Sequence, residues 1–218
     1  LYSGEKYEAL YVETEDYLIN YPYTKIDNID KEINDRVSYF SKCSEASSAR
    51  FTAVDYITET ADDKYLSIVF KAKEYDNNKK LISAYVSTMM FELETNKLLD
   101  DEQVFKNSFY NFASEYVRTY FNNNLDTKKK TSDETFLSAA SADKIHFGEY
   151  SINDNKCTLY MNQKELFGSG STIYEIPIAL SELDEYLEIS LENAKNTIKK
   201  ASTIRDNLDP NKPMVALT

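Results

Sequence analysis

The chain has 218 residues and a formal net charge of −12, with 25 Lys and Arg against 37 Asp and Glu. That length fits one large domain or two small interlocked ones, and the acidity would repel a phosphate backbone, which argues against a nucleic-acid partner. With only 4 Gly and no Gly-x-Gly-x-x-Gly or Walker-type run, the sequence also lacks the means to cradle a nucleotide.

In chain order, Tyr17, Ile19 and Tyr21 alternate with Leu18 and Asn20, a strand pattern that stops at Pro22. Ile26, Ile29, Ile33, Val37 and Phe40 then recur at helical spacing, which predicts an amphipathic helix from about Asp27 to Ser47. Period two returns from Phe51 to Thr60. A hairpin follows, with Leu66, Ile68, Phe70 and Ala72 on one face of a strand ending near Tyr75. Asp76-Asn77-Asn78-Lys79 supplies its turn, because Asn and Asp tolerate positive φ and bond their own backbone. The partner strand runs from about Leu81 to Leu93, with Ile82, Ala84 and Val86 on one face and Asn96 placed for a tight turn after it.

A long helix is predicted over about Asp101 to Asn122, where Phe105, Phe109, Phe112, Tyr116 and Tyr120 form an aromatic stripe. Such a stripe is read as a helix packing on a sheet rather than as a ligand platform. The polar segment Asn122 to Lys130 marks a subdomain boundary. Its basic run, Lys128-Lys129-Lys130, is flanked by Asp126 and Asp133 and reads as a solvated loop. Thr131-Ser132-Asp133-Glu134 has capping-box spacing ahead of a short helix into Ala140. Strands are expected at Ile145 to Ile152, Cys157 to Met161 and Thr172 to Ile178, with Asn153-Asp154-Asn155 as a turn. The last element is a helix from Ser181, carried by Leu183, Leu187, Leu191, Ala194, Ile198 and Ala201, that breaks by Asp209-Pro210. No run approaches the ~20 apolar residues of a membrane span.

Catalytic patterns are scarce. His146 is the single His, and within a predicted strand it reads as structural. It cannot support a multi-His zinc site, and no Cys-x-x-Cys or His-Glu-x-x-His spacing occurs. No Gly-x-Ser-x-Gly elbow is present. Close carboxylates such as Glu92/Glu94 and Asp62-Asp63 are expected by chance in so acidic a chain, and they read as strand edges and turns. An independent hydrolase would need a carboxylate site that the spacing does not reveal. Cys43 and Cys157 are compatible with one long-range disulfide or with two free thiols.

Two stretches carry a family resemblance. One runs from Tyr17-Leu18-Ile19-Asn20-Tyr21-Pro22 through the helix with Ile33-Asn34 to Phe91-Glu92-Leu93-Glu94-Thr95-Asn96-Lys97, Leu98 and Phe105. The other holds Leu159-Tyr160, Tyr174-Glu175-Ile176-Pro177-Ile178, Leu183 and Tyr186-Leu187 in order. Together they resemble the paired extracytoplasmic module of lysozyme-sensing anti-sigma factors (the RsiV type) and of PdaC-type peptidoglycan deacetylases. The pattern departs at Gly168-Ser169-Gly170, and Asn96 stands where a turn Gly is usual. Leu208-Asp209-Pro210-Asn211-Lys212-Pro213-Met214-Val215-Ala216-Leu217-Thr218 resembles the lead into the first catalytic motif of polysaccharide deacetylases, where Val-Ala-Leu-Thr continues as Phe-Asp-Asp-Gly-Pro.

The resemblance implies an α+β fold, antiparallel sheets packed against a few long amphipathic helices. It divides the chain into a strand-helix-hairpin-helix module over 1–126, a second α+β module over 127–207, and a linker with the first strand of a deacetylase domain over 208–218. It implies a non-catalytic accessory module of a surface-anchored deacetylase, outside the cell and anchored upstream. No residue of this chain is given a catalytic, cofactor-binding or metal-ligating role. The divalent metal of the family is expected in the catalytic domain that would follow. Implied partners are that domain and cell-wall glycan or, alternatively, lysozyme, whose basic character the net charge would attract.

Overall fold

The structure is a computed structural model that describes residues 7–47, 49–123 and 133–191. It is α+β, as expected. A six-stranded sheet follows chain order: β1 (Glu8–Glu13), β2 (Tyr17–Tyr23), β3 (Phe51–Ala61), β4 (Tyr65–Tyr75), β5 (Leu81–Glu92) and β6 (Lys97–Leu98). All neighbours are antiparallel except β2 and β3, which run parallel because the helix α1 (Asp27–Ala46) crosses between them. A three-stranded antiparallel sheet is built from β7 (Tyr150–Ile152), β8 (Lys156–Asn162) and β9 (Ile173–Ala179).

The α1 periodicity does what the sequence implies. Ile29, Ile33, Val37 and Phe40 are buried, and they pack on Ile19, Val54, Leu66, Ile68, Phe70 and Ala72 of the large sheet. The start of α1 is fixed by Asp30, whose carboxylate accepts from both the Thr24 amide and the Thr24 hydroxyl at 2.8 Å. β4 is buried on both faces. Its even-numbered residues meet α1, while Ser67 and Val69 meet the small sheet, where the Ile152 amide donates to Ser67 Oγ at 3.0 Å. Val69, Val86 and Tyr160 fill the space between the sheets, and Lys71 reaches Glu175 of β9 at 2.6 Å.

The strand at Tyr17 does not stop at Pro22 but runs through it to Tyr23. Pairing of β2 with β3 ends at Ile19, so Pro22 lies beyond the stretch where a missing N–H would cost a bond to β3. The predicted long helix from Asp101 is two helices, α2 (Asp101–Val104) and α3 (Ser108–Asn123). Between them Phe105 forms a bridge with Leu187, the Lys106 amide donates to Tyr186 O, and the Glu188 amide donates to Val104 O. The same pairing interrupts the predicted C-terminal helix at Leu187. Among the described residues from Ser181, α6 (Leu180–Leu183) and a 3₁₀ turn over Asp184–Tyr186 form, and Leu187 is extended. Leu183, Leu187 and Leu191 are nevertheless all buried in one cluster. Ala194 to Ala201, Asp209-Pro210 and the deacetylase-like end through Thr218 lie outside the described residues, as does Lys128-Lys129-Lys130.

On α3 the buried face is Phe109, Tyr110, Ala113, Val117 and Phe121, with Phe112, Tyr116 and Tyr120 at its margin. Phe105 stacks on Phe109 at 3.8 Å between ring centroids, and Phe112 stacks on Tyr186 at 4.6 Å. The stripe is thus a packing seam. The N-cap residue of α4 (Glu134–Ala139) is Asp133, and Thr131, the predicted cap, lies outside the described residues. The expected strand from Ile145 begins only at Tyr150. His146 sits in a 3₁₀ turn over Lys144–His146, where the Asp143 side chain accepts from the Ile145 amide. Asn96 turns the chain after β5 at φ 55°, as read, whereas in the 76–79 turn the positive φ falls on Lys79 (61°) while the Asp76 side chain accepts from the Asn78 and Lys80 amides. Gly168 at φ 76° ends the helix α5 (Gln163–Phe167).

Both cysteines are free thiols, Cys43 half-buried on α1 and Cys157 buried in β8. Burial pushes the Cys157 thiol well above its ordinary range. A thiol reagent added to the folded chain is expected to titrate Cys43 alone, with Cys157 reacting only after denaturation. Equal rates for the two would contradict this packing.

Candidate functional site

A large concavity lies where β6 leaves β5. A cleft of about 790 Å³ is lined by Thr88, Met89 and Met90 of β5, Leu98 and Leu99, the start of α2, the 143–148 loop, Arg36 and Tyr150. A groove of about 490 Å³ adjoins it through Arg36, Met89 and Leu98, between α1 and β5. Sequence order separates these parts by more than a hundred residues, and the α2 break and the small sheet bring them together.

Carboxylates dominate the cleft. Asp100, Asp101, Glu102 and Asp143 line it, against the cations Arg36 and Lys144. Lys144 pairs with Glu102 at 2.8 Å at the rim, and that pairing holds the Glu102 carboxyl below its ordinary range. The Asp100 amide donates to the Gln103 side chain at 2.9 Å, which fixes the turn that presents these acids. Asp101 is partly buried, and burial raises its pKa although the Tyr150 hydroxyl donates to it. Tyr150 is buried, and its own hydroxyl is pushed far up, first by burial and then by the Asp101 charge. The Tyr110 hydroxyl, buried without a hydrogen-bond partner among the described residues, lies within electrostatic reach of Asp101, Glu102 and Lys144.

Glu149 stands between cleft and groove. Its carboxylate accepts from the Thr88 amide at 2.6 Å, and burial pushes its pKa up to about 7 against the opposing pull of Thr88 and Arg36. The Tyr150 amide donates to Thr88 Oγ1 at 3.1 Å, and the Tyr160 amide donates to Glu149 O at 2.9 Å. One segment, 148–150, therefore clips the small sheet to the edge of the large one. Arg36 donates to Ser87 Oγ beside it.

Tyr39, Leu98 and Ile145 line this surface while being 58%, 36% and 79% exposed, so the acids share it with apolar groups. Among the described residues no group of three or more His, Cys, Asp or Glu is arranged to hold a metal ion, and no metal step is assigned to this chain. Asp62 and Asp63, both at positive φ, form the β3–β4 turn, while Glu92 sits at the end of β5. Neither pair belongs to the cleft. Sequence reasoning did not single out Arg36, Asp101, Glu149 or Tyr150. The local signal for Asp101 was the Asp100–Gln103 helix start; Glu149 gave none.

Searches against protein-family models and curated proteins return no match. Among solved structures, a DUF3298 family protein from Pseudomonas aeruginosa superposes with a TM-score of 0.56 at 10% identity, covering 86% of this chain and 94% of that one. The fold is that of this DUF3298 family protein. A DUF3298 family member from Bacteroides fragilis gives a TM-score of 0.47 at 11% identity, covering 87% of this chain and 96% of that one. At such identities the DUF3298 likeness concerns the backbone, and it assigns no residue of the cleft a role.

Proposed function

We propose that the chain is a non-catalytic accessory module of a surface-anchored polysaccharide or peptidoglycan deacetylase, outside the cell, that binds cell-wall glycan weakly and so positions the catalytic domain. The observation that carries the binding half is the cleft itself. Asp101, Asp143 and Lys144 offer hydrogen-bonding groups beside the apolar Leu98 and Ile145. That mixture suits a sugar ring, which is polar at its edge and apolar on its face. The deacetylase context is supported by the resemblance of Leu208 to Thr218. The metal and its water-activating chemistry belong, in this reading, to the catalytic domain.

Co-sedimentation of the chain with insoluble peptidoglycan tests the binding half. Pelleting that soluble glycan fragments reverse is expected, and a chain that stays in the supernatant would leave only a spacer role. The gene beyond Thr218 tests the context: Phe-Asp-Asp-Gly-Pro supports it, and a stop codon overturns it.

A second reading is recognition of lysozyme, and one observation favours it. The cleft gathers Asp100, Asp101, Glu102 and Asp143 on a chain of net charge −12, which would steer a basic protein toward it. A pull-down with lysozyme at low salt that captures nothing would remove this reading.

A further inference from the structure

β5 is flanked by β6 only at its end, where Phe91 and Glu92 pair with Leu98 and Lys97. Before that point its outer edge has no strand among the described residues. The direction of the unused groups follows from the used ones. The Thr88 amide points outward to Glu149, and Met90 O accepts from the Leu99 amide at 2.8 Å, so even-numbered residues turn their backbone outward. Ala84 and Val86 therefore aim their N–H and C=O the same way, and no described residue pairs with them on that side. The groove of about 490 Å³ runs along this edge, with Glu32, Asp35, Arg36, Tyr39 and Phe40 of α1 forming one wall.

We propose that this edge takes an extended, cationic polypeptide segment as an added strand, in line with β6. The groove supplies both requirements of strand addition. Backbone groups at Val86, which lines the groove, and at Ala84 just past it give the ladder, and the Tyr39 side supplies apolar contact for alternate side chains. Charge sets the partner's sign. Glu32 and Asp35 line the groove, both paired with Lys31, and Asp100, Asp101, Glu102 and Asp143 continue from it, so acids outnumber the cations Lys31, Arg36 and Lys144. An acidic segment would meet this surplus, whereas lysine-bearing positions would be drawn to it. The inference is separate from glycan binding, since it uses the backbone of β5 and not the cleft floor.

Amide hydrogen exchange on the full chain tests it, with a nonapeptide of alternating lysine and valine, and its glutamate-for-lysine copy as control. The lysine peptide is expected to slow exchange at Ala84 and Val86 at least tenfold at saturation, and the glutamate copy to leave both unchanged. Asp35→Lys, an exposed substitution, should weaken the lysine peptide about fivefold. Three results would overturn the proposal. One is binding without protection of those two amides, which means side-chain docking only. Another is full protection of both in the free chain, which means a segment of the chain itself fills the edge. The third is equal protection by both peptides, or by neither at millimolar concentration.

Discussion

Phe121→Ala is expected to lower folding stability by about 3–5 kcal/mol, enough to consume a large part of a typical domain's margin. Phe121 is fully buried, and its ring meets Tyr120, Phe136, Phe167 and Tyr174 edge-on at centroid distances of 5.4, 5.6, 5.8 and 4.9 Å. It is the point where α3, α4, α5 and β9 converge. Phe136 and Phe167 stack on each other at 5.7 Å, so they cannot both swing inward to fill the space that alanine leaves. Urea unfolding should show a lower midpoint with an unchanged slope. A loss under 1 kcal/mol would mean that the cluster is not packed as described.

Glu149→Gln is expected to stabilise the chain at pH 8 while changing little at pH 4. The folded carboxyl holds its proton up to about 7, whereas an exposed glutamate releases it near 4.5. Between those values the folded state binds the extra proton, so wild-type stability falls as pH rises through that window. Burial is the main cause, and the loss amounts to roughly 2–3 kcal/mol after allowance for residual solvent screening. Glutamine cannot ionise, and its side-chain oxygen can still accept from the Thr88 amide. Chemical denaturation from pH 4 to pH 8 should therefore give a flatter profile for the variant. A variant less stable than wild type at pH 8 would show that the ionised carboxylate, with Arg36, holds the clip together.

Much of the large sheet and its helix was legible in the sequence because the partners are close along the chain. The Ile29-Ile33-Val37-Phe40 spacing and the Asp76-Asn77-Asn78-Lys79 turn are local signals, and the elements they imply are present. β1 was not legible, because Glu8–Glu13 lies at the sheet edge, with Glu8, Ala9, Tyr11 and Glu13 exposed and little apolar alternation to read. The two misread helices have one cause. Val104, Phe105 and Lys106 pair with Tyr186, Leu187 and Glu188, so each segment breaks the other's helix across some eighty residues. Leucines at steps of four are buried either way, and periodicity cannot tell a helix from a strand anchored by a distant partner. The cleft was illegible for the same reason. Arg36, Thr88 and Asp101 come from three separate elements and Glu149 from the loop before β7, and Glu149 acquires its environment only when the small sheet docks.

A nitrogen-15 NMR titration of the full chain with soluble peptidoglycan oligosaccharides tests most directly whether this cleft is the ligand face of a binding module. Fast-exchange shifts at millimolar ligand are expected to concentrate on Thr88, Leu99, Asp101, Ile145 and Gly148. A spectrum unchanged at those concentrations, or shifts confined to residues remote from the cleft, would contradict it.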